Sequence, residues 1–313
     1  MTEALERTIV TSLTDLVEVV PSLLGFHPAD SIVLLAICDG HVRMTARTNL
    51  GEQPAAALSA AWGRVPDAQV ILIAFSPDPA RAWVGLDEVD AAIPVGMERI
   101  LLHADGECWF EHPDDRGTPY DALGSVHLAE AAFAGRPVRG SRDELQCLVE
   151  PNRTPAEVTA SLERVAAREA TLSDIVGEAL ALLEGHDDEP GVIDIDEATI
   201  LCLATHDPTF LDTALFSTGK ENAAARESLW LQVVGATVPN CAGGALVAAG
   251  MAAWLNGDGA LHTVCLEAMQ GRPGPAEWAD LLSLLNRDLV PPVEWEGLRA
   301  AMLERRMGVE STS

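Results

Sequence analysis

Three groups of side chains in this 313-residue sequence could carry chemistry. The densest is His103-x-Asp105-x-x-Cys108-x-x-x-His112, with Asp114 and Asp115 behind it. It offers nitrogen, sulfur and oxygen, a mixture that divalent metals accept. Strand alternation puts His103 and Asp105 on one face, whereas Cys108 and His112 need not join them. The segment also lacks the paired spacing of a closed site. We therefore expect turn and loop residues here, with no resident metal and no cofactor.

The second group is built on arginine. Arg136, Arg139 and Arg142 lead into a helix start at Ser141, and exposed amides beside a guanidinium bind anions readily. Arg43 and Arg47 share a strand face, with His27 and Asp30 in the adjoining turn. Together they would complete a polar pocket at a sheet edge. The competing reading makes Arg142 a solvated first-turn residue and pairs Arg43 and Arg47 with the abundant carboxylates.

The third group dissolves on inspection. Lys220 follows Ser217-Thr218-Gly219, but the full phosphate-loop pattern is not met and no buried strand precedes it. A surface loop is expected there. Asp194-Ile195-Asp196-Glu197 looks like half a calcium loop without its glycine and distal glutamate, so it reads as a helix cap. The sequence has no G-x-S-x-G, no H-E-x-x-H and no G-x-G-x-x-G at a strand–helix junction.

These residues must be held by particular elements. Leu13, Leu16, Val17 and Val20 form the apolar stripe of a short helix that Pro21 is expected to end. Gly25 permits a turn, and Ile32 to Ile37 is apolar on both faces, as in a strand covered on both sides. Asp39-Gly40 then predicts a two-residue hairpin turn into His41 to Arg47. A helix over Pro54–Arg64 leads to a buried strand at Val70–Phe75, and a helix opened by Pro79 reaches Ala92. Strands at Arg99–His103 and Glu107–Phe110 flank an Asp105-Gly106 turn, and Glu111–Asp121 is an exposed loop.

Helix signals dominate beyond that loop. Ser141 with Glu144 and Thr154 with Glu157 are capping-box pairs, and Pro155 suits a first helical position. The expected architecture is an α/β domain with a mixed sheet over residues 1–150, followed by an all-helical domain over 155–313. The last four helices, near 242–256, 258–270, 275–288 and 294–307, recur as pairs about 34 residues apart. Trp254, Gly257 and Ala260 resemble pieces of the tetratricopeptide pattern, so stacked hairpins are expected.

Composition bounds the function. A formal net charge of −28, with 48 acidic against 20 basic residues, argues against nucleic acid or an anionic membrane as partner. The first ten residues lack a basic start and apolar core, and no run reaches about 18 apolar residues, so a cytoplasmic protein is expected. Six scattered cysteines without a C-x-x-C pair fit reduced thiols in the core.

Several motifs occur together and in order. They include Val20-Pro21-Ser22-Leu23-Leu24-Gly25-Phe26-His27-Pro28, Arg47-Thr48-Asn49-Leu50, Gly106-Glu107-Cys108-Trp109, Gly117-Thr118-Pro119 and Ser141-Arg142-Asp143-Glu144-Leu145. Ala252-Ala253-Trp254-x-x-Gly257-Asp258-Gly259 and Trp278-x-x-Leu281-Leu282 follow. With them the chain resembles the actinobacterial family called domain of unknown function 4192. The resemblance implies a fold but no reaction. The family's loop after the Trp109 hairpin is often cysteine-rich, whereas this chain has Glu111-His112-Pro113-Asp114-Asp115-Arg116, so an inherited metal role is in doubt. The family pattern also has aspartate where Asn49 stands, which weakens a catalytic carboxylate there.

Two functions follow as expectations. In the first, the chain is a non-enzymatic scaffold or ligand sensor whose helical domain offers a surface to a protein partner. In the second, it is an enzyme acting on an anionic small molecule, with Arg47 and Arg142 as clamps and His27, Asp30 or His103 as acid or base. Convergence of His27, Asp30, Arg47 and Arg142 in one pocket would favour the second.

Overall fold

The computed structural model describes residues 12–310 apart from 52, 54, 57, 59–64, 134, 137 and 169. The helix expected over Pro54–Arg64 falls largely outside them. The chain forms two compact units, Met1–Arg142 and Asp143–Ser313. No helix of the described residues is long and apolar enough to cross a membrane.

The first unit is built on a six-stranded mixed sheet in the order β2-β1-β3-β4-β5-β6. Strand β1 (Ser31–Cys38) lies antiparallel to both β2 (His41–Asn49) and β3 (Gln69–Phe75), and β3 runs parallel to β4 (Arg99–Ala104). Ile32 to Ala36 and Val70 to Ala74 are buried, which is what continuous apolar runs require of strands covered on both faces. Between β1 and β2 only Asp39 and Gly40 intervene, both at positive φ, 52° and 75°, the backbone of a type I′ turn.

Two expectations change here. Helix α1 (Leu13–Leu24) runs through Pro21 and stops at Gly25, whose φ of 75° gives the left-handed C-cap. Val20, Pro21 and Leu24 are all buried, so packing of that face outweighs the backbone bond that proline cannot donate. Strand β5 (Cys108–Phe110) pairs with β4 and with β6 (Thr118–Pro119), a short edge strand inside the segment expected to be loop. Proline is tolerated there because an edge strand needs no donor on its open side.

Helix α2 (Pro79–Asp90) begins at Asp78, whose side chain accepts the Arg81 N–H, with Pro79 in the first turn. Helix α3 (Val126–Phe133) packs on α1. Nearby, the Trp109 indole donates to Thr14 Oγ1 at 3.0 Å and the Asp121 N–H to Glu18 Oε1 at 2.9 Å, which fasten the β5–β6 edge and its following loop to α1.

The second unit is all-helical. It comprises α4 (Arg142–Leu148), which starts at the boundary, α5 (Pro155–Ala166), α6 (Leu172–Asp188), α7 (Ile195–Ala204), α8 (Pro208–Phe216) and α9 (Ala223–Gly235). Four more follow: α10 (Gly243–Asn256), α11 (Gly259–Met269), α12 (Ala276–Arg287) and α13 (Trp295–Glu310). Thr154 and Glu157, Thr171 and Asp174, and Asp194 and Glu197 form reciprocal capping boxes at α5, α6 and α7. Helix α10 is buried from Gly243 through Leu255, as an apolar helix without a polar face must be. Its glycines allow close approach: a Cβ at Gly243 would stand 2.1 Å from the Pro273 carbonyl oxygen.

Burial also sets the acid sensitivity of this unit. Desolvation pushes His186 and His262 below the ordinary value of 6.5. His262 donates Nδ1–H to the Gly250 carbonyl at 2.8 Å and is 1% exposed, so a second proton would place a charge in the core. Above pH 6.5 both folded and unfolded chains keep these rings neutral; below it the unfolded chain takes up protons first, and stability falls with pH. Asp196 adds a lower window. Its hydrogen bonds from Arg164 and then Ser161 hold the carboxyl at about 2, so that contribution is lost as pH falls from 3.8 toward 2. A melting-temperature profile should therefore decline from pH 6.5 downward, and His262→Asn should flatten its upper part. An unchanged profile in that variant would show that His262 is not among the groups responsible.

Candidate functional site

The end of the sheet where β1 begins and β2, β3 and β4 finish gathers the polar residues of the first unit. Asp30 enters β1 at φ 42°, left-handed backbone that aspartate tolerates better than most residues. Its Oδ1 accepts the Ser76 hydroxyl at 2.8 Å and faces Arg81 Nη1 at 3.2 Å. Arg81 Nη2 donates to the Leu50 carbonyl at 3.0 Å, and the Leu50 N–H donates to the Asp30 carbonyl at 2.9 Å. Ser76 Oγ also accepts the Asp78 N–H at 3.2 Å. His103 Nε2–H donates to the Ser76 carbonyl at 2.8 Å. The network ties four strand ends to the start of α2. Ser76 is 3% exposed, so its hydroxyl is a strut rather than an accessible nucleophile.

The residues marked out by sequence are placed as follows. Asn49 stands opposite Ser31, and Arg47 opposite Val33, with its guanidinium carbon 6.0 Å from the Phe26 ring centroid. The His27 N–H donates to the Arg139 carbonyl at 3.0 Å, which brings this turn beside the segment leading to Ser141 and Arg142; burial lowers the His27 pKa. Arg142 opens α4, a helix of only 7 residues. Arg43 lies apart and exposed. Ile37 pairs with Val42 and Ala36 with Met44, so Arg43 is the extra residue of a bulge that interrupts the alternation linking it to Arg47. Four residues along the strand, roughly 13 Å at 3.3 Å per residue, separate the two.

The His103–His112 segment is likewise resolved into local roles. His103 is buried, stacked on Phe110 at 5.3 Å and edge-on to Trp83 at 6.3 Å. Asp105 Oδ1 caps the turn by accepting the Glu107 and Cys108 N–H groups at 2.9 and 2.8 Å. Asp115 Oδ2 accepts the His112 N–H at 2.9 Å. Among the described residues no three His, Cys, Asp or Glu side chains are grouped as metal ligands. Burial raises the Cys202 thiol to about 11 and pushes Cys265 further still, so both act as core residues.

A feature that sequence reasoning missed is a cleft of about 540 Å³ beside β4. Trp83 and Asp87 reach it from one face of α2, Arg99 and Leu101 from β4, and Glu111 and His112 from the segment after β5. Trp83 and Asp87 are one helical turn apart, a spacing that could have flagged an aromatic–carboxylate pair. Arg99 is engaged by Asp90, which leaves Asp87 and Glu111 to set the sign of the cleft. Half-exposed tryptophan beside carboxylates suits an organic cation. In the second unit an open cleft of about 510 Å³ runs between Asn152, Val192 and Gln232. Its helix-start amides are already taken, since Asp194 accepts the Asp196 and Glu197 N–H groups.

The structure thus defines a mixed-sheet α/β unit followed by an all-α unit. The chain belongs to the family described as domain of unknown function (DUF4192), whose model matches residues 14–293. No curated protein and no solved structure matches it.

Proposed function

We propose that this chain is a cytoplasmic, non-enzymatic interaction protein. The cleft beside β4 receives its ligand, and the helical unit offers a surface to a protein partner. The observation that carries this reading is the cleft itself, where a strand edge, a tryptophan and two carboxylates meet. Aromatic and charged side chains around an open groove provide recognition. Asp30, the acid or base of the enzymatic alternative, has Oδ1 shared between Ser76 and Arg81, and this favours a positioning role. The four successive helices α10 to α13 support the second half of the proposal, because helical arrays present extended surfaces to other proteins.

Purification of the tagged chain from its native cells tests the reading. A ligand or partner identified by mass spectrometry should be retained by the unaltered chain and by Glu184→Gln on α6, and lost from Trp83→Ala combined with His112→Ala. Equal retention by the cleft variant would remove the cleft from the account. Turnover of a small molecule that survives the same variant would restore the enzymatic alternative.

A further inference from the structure

The hydrogen-bond ladder shows what the β4 cleft lacks. Val70 donates to the Glu98 carbonyl at 2.9 Å and Ser76 to the Ala104 carbonyl at 3.0 Å, so the even-numbered peptide groups along β4 face β3. Successive residues of a strand direct these groups to opposite sides. The N–H and C=O groups of Arg99, Leu101 and His103 therefore face away from β3. Those of His103 meet β5, where His103 pairs with Phe110. Continued in register, β5 would next oppose Leu101 and then Arg99. Instead the chain turns aside after Phe110, held by the His112 N–H to Asp115 Oδ2 at 2.9 Å and the Asp115 N–H to the His112 carbonyl at 3.1 Å. Among the described residues no strand takes the vacated position.

We propose that an extended segment of a partner protein adds there, antiparallel to β4 and in line with β5, and carries a basic side chain toward Trp83 and Asp87. The proposal rests on the reading of this cleft as a ligand site. Main-chain bonds to Arg99 and Leu101 would supply affinity, as in other strand additions. A residue opposite Leu101 shares its face of the sheet. That is the face of α2, since His103, two residues on, meets the Trp83 ring. Asp87 lies one turn beyond Trp83 and Glu111 borders the same cleft, so a guanidinium or ammonium group is complemented by both the ring and the charge. The Trp83 ring, not its buried Nε1–H, is the surface the basic side chain meets. A net charge of −28 steers a basic segment in and opposes a second copy of this chain.

The test is fluorescence anisotropy on the purified full chain, with a fluorescein-labelled heptapeptide of alternating valine and arginine as probe. Saturable binding is expected. Replacing arginine by glutamate, or N-methylating the amides that would face β4, should each weaken it about tenfold or more. So should Trp83→Phe and Asp87→Asn in the chain, whereas Glu184→Gln should change nothing. Equal binding of the N-methylated or glutamate peptide would overturn the proposal, as would a dimer of the chain dissociated by Trp83→Phe. A native ligand lost from the cleft variant without binding of any strand peptide would keep the ligand site and overturn strand addition. Loss of neither would overturn both.

Discussion

Asp187→Ala should destabilise the second unit by about 3–5 kcal/mol, the cost of removing one partner from a buried ion pair. Arg226 of α9 is 3% exposed, and its Nε and Nη2 donate to Asp187 Oδ1 and Oδ2 at 2.5 Å each. Asn222 Nδ2 adds a third bond to Oδ2 at 3.2 Å. Without the carboxylate the guanidinium stays buried and uncompensated, and it cannot relieve the strain by losing its proton. Arg226→Met should cost less, because the Asp187 side chain is 22% exposed and can be hydrated. Urea unfolding of both variants at pH 7 separates the cases. A loss below about 1 kcal/mol for Asp187→Ala would mean that the pair behaves as a surface contact.

The second large effect is expected at Trp295→Ala, about 3–5 kcal/mol. Trp295 is 1% exposed at the start of α13. Its indole N–H donates to the Thr218 carbonyl at 2.9 Å, and its ring stacks on Phe216 at 6.4 Å and meets Trp254 edge-on at 6.2 Å. Truncation removes the largest apolar surface at this junction and strands the Thr218 carbonyl. Trp295→Phe should retain much of the packing but not the hydrogen bond, so an intermediate loss of about 1–3 kcal/mol is expected. Equal losses in the two variants would place the whole effect in the missing bond.

Elements whose burial is written along the chain were legible in sequence. The apolar runs of β1 and β3, the Asp39-Gly40 turn and helices α10 to α13 lie where residue spacing puts them. Pro21 misled because its local preference yields to the burial of its neighbours, and the helix waits for Gly25. Thr118-Pro119 is too short, and its proline too poor a strand former, to announce a strand, and it is recruited by its register on β5. The partners of Asp30 were hidden for another reason: Ser76 lies 46 residues away and meets it only because β1 and β3 share a sheet end. The cleft draws on α2, β4 and the segment after β5, each ordinary when read alone. His112 was expected to be an ordinary loop residue, and only the fold sets it on the wall of a groove.

Photo-cross-linking from position 112 is the most direct test of the β4 cleft as the ligand site. A photoreactive residue there, in the full chain in its native cells, should capture a discrete adduct, and the same residue at position 184 should not. Trp83→Ala should abolish the adduct without lowering the amount of folded protein. An adduct formed equally from position 184, or undiminished by Trp83→Ala, would contradict the assignment of the cleft.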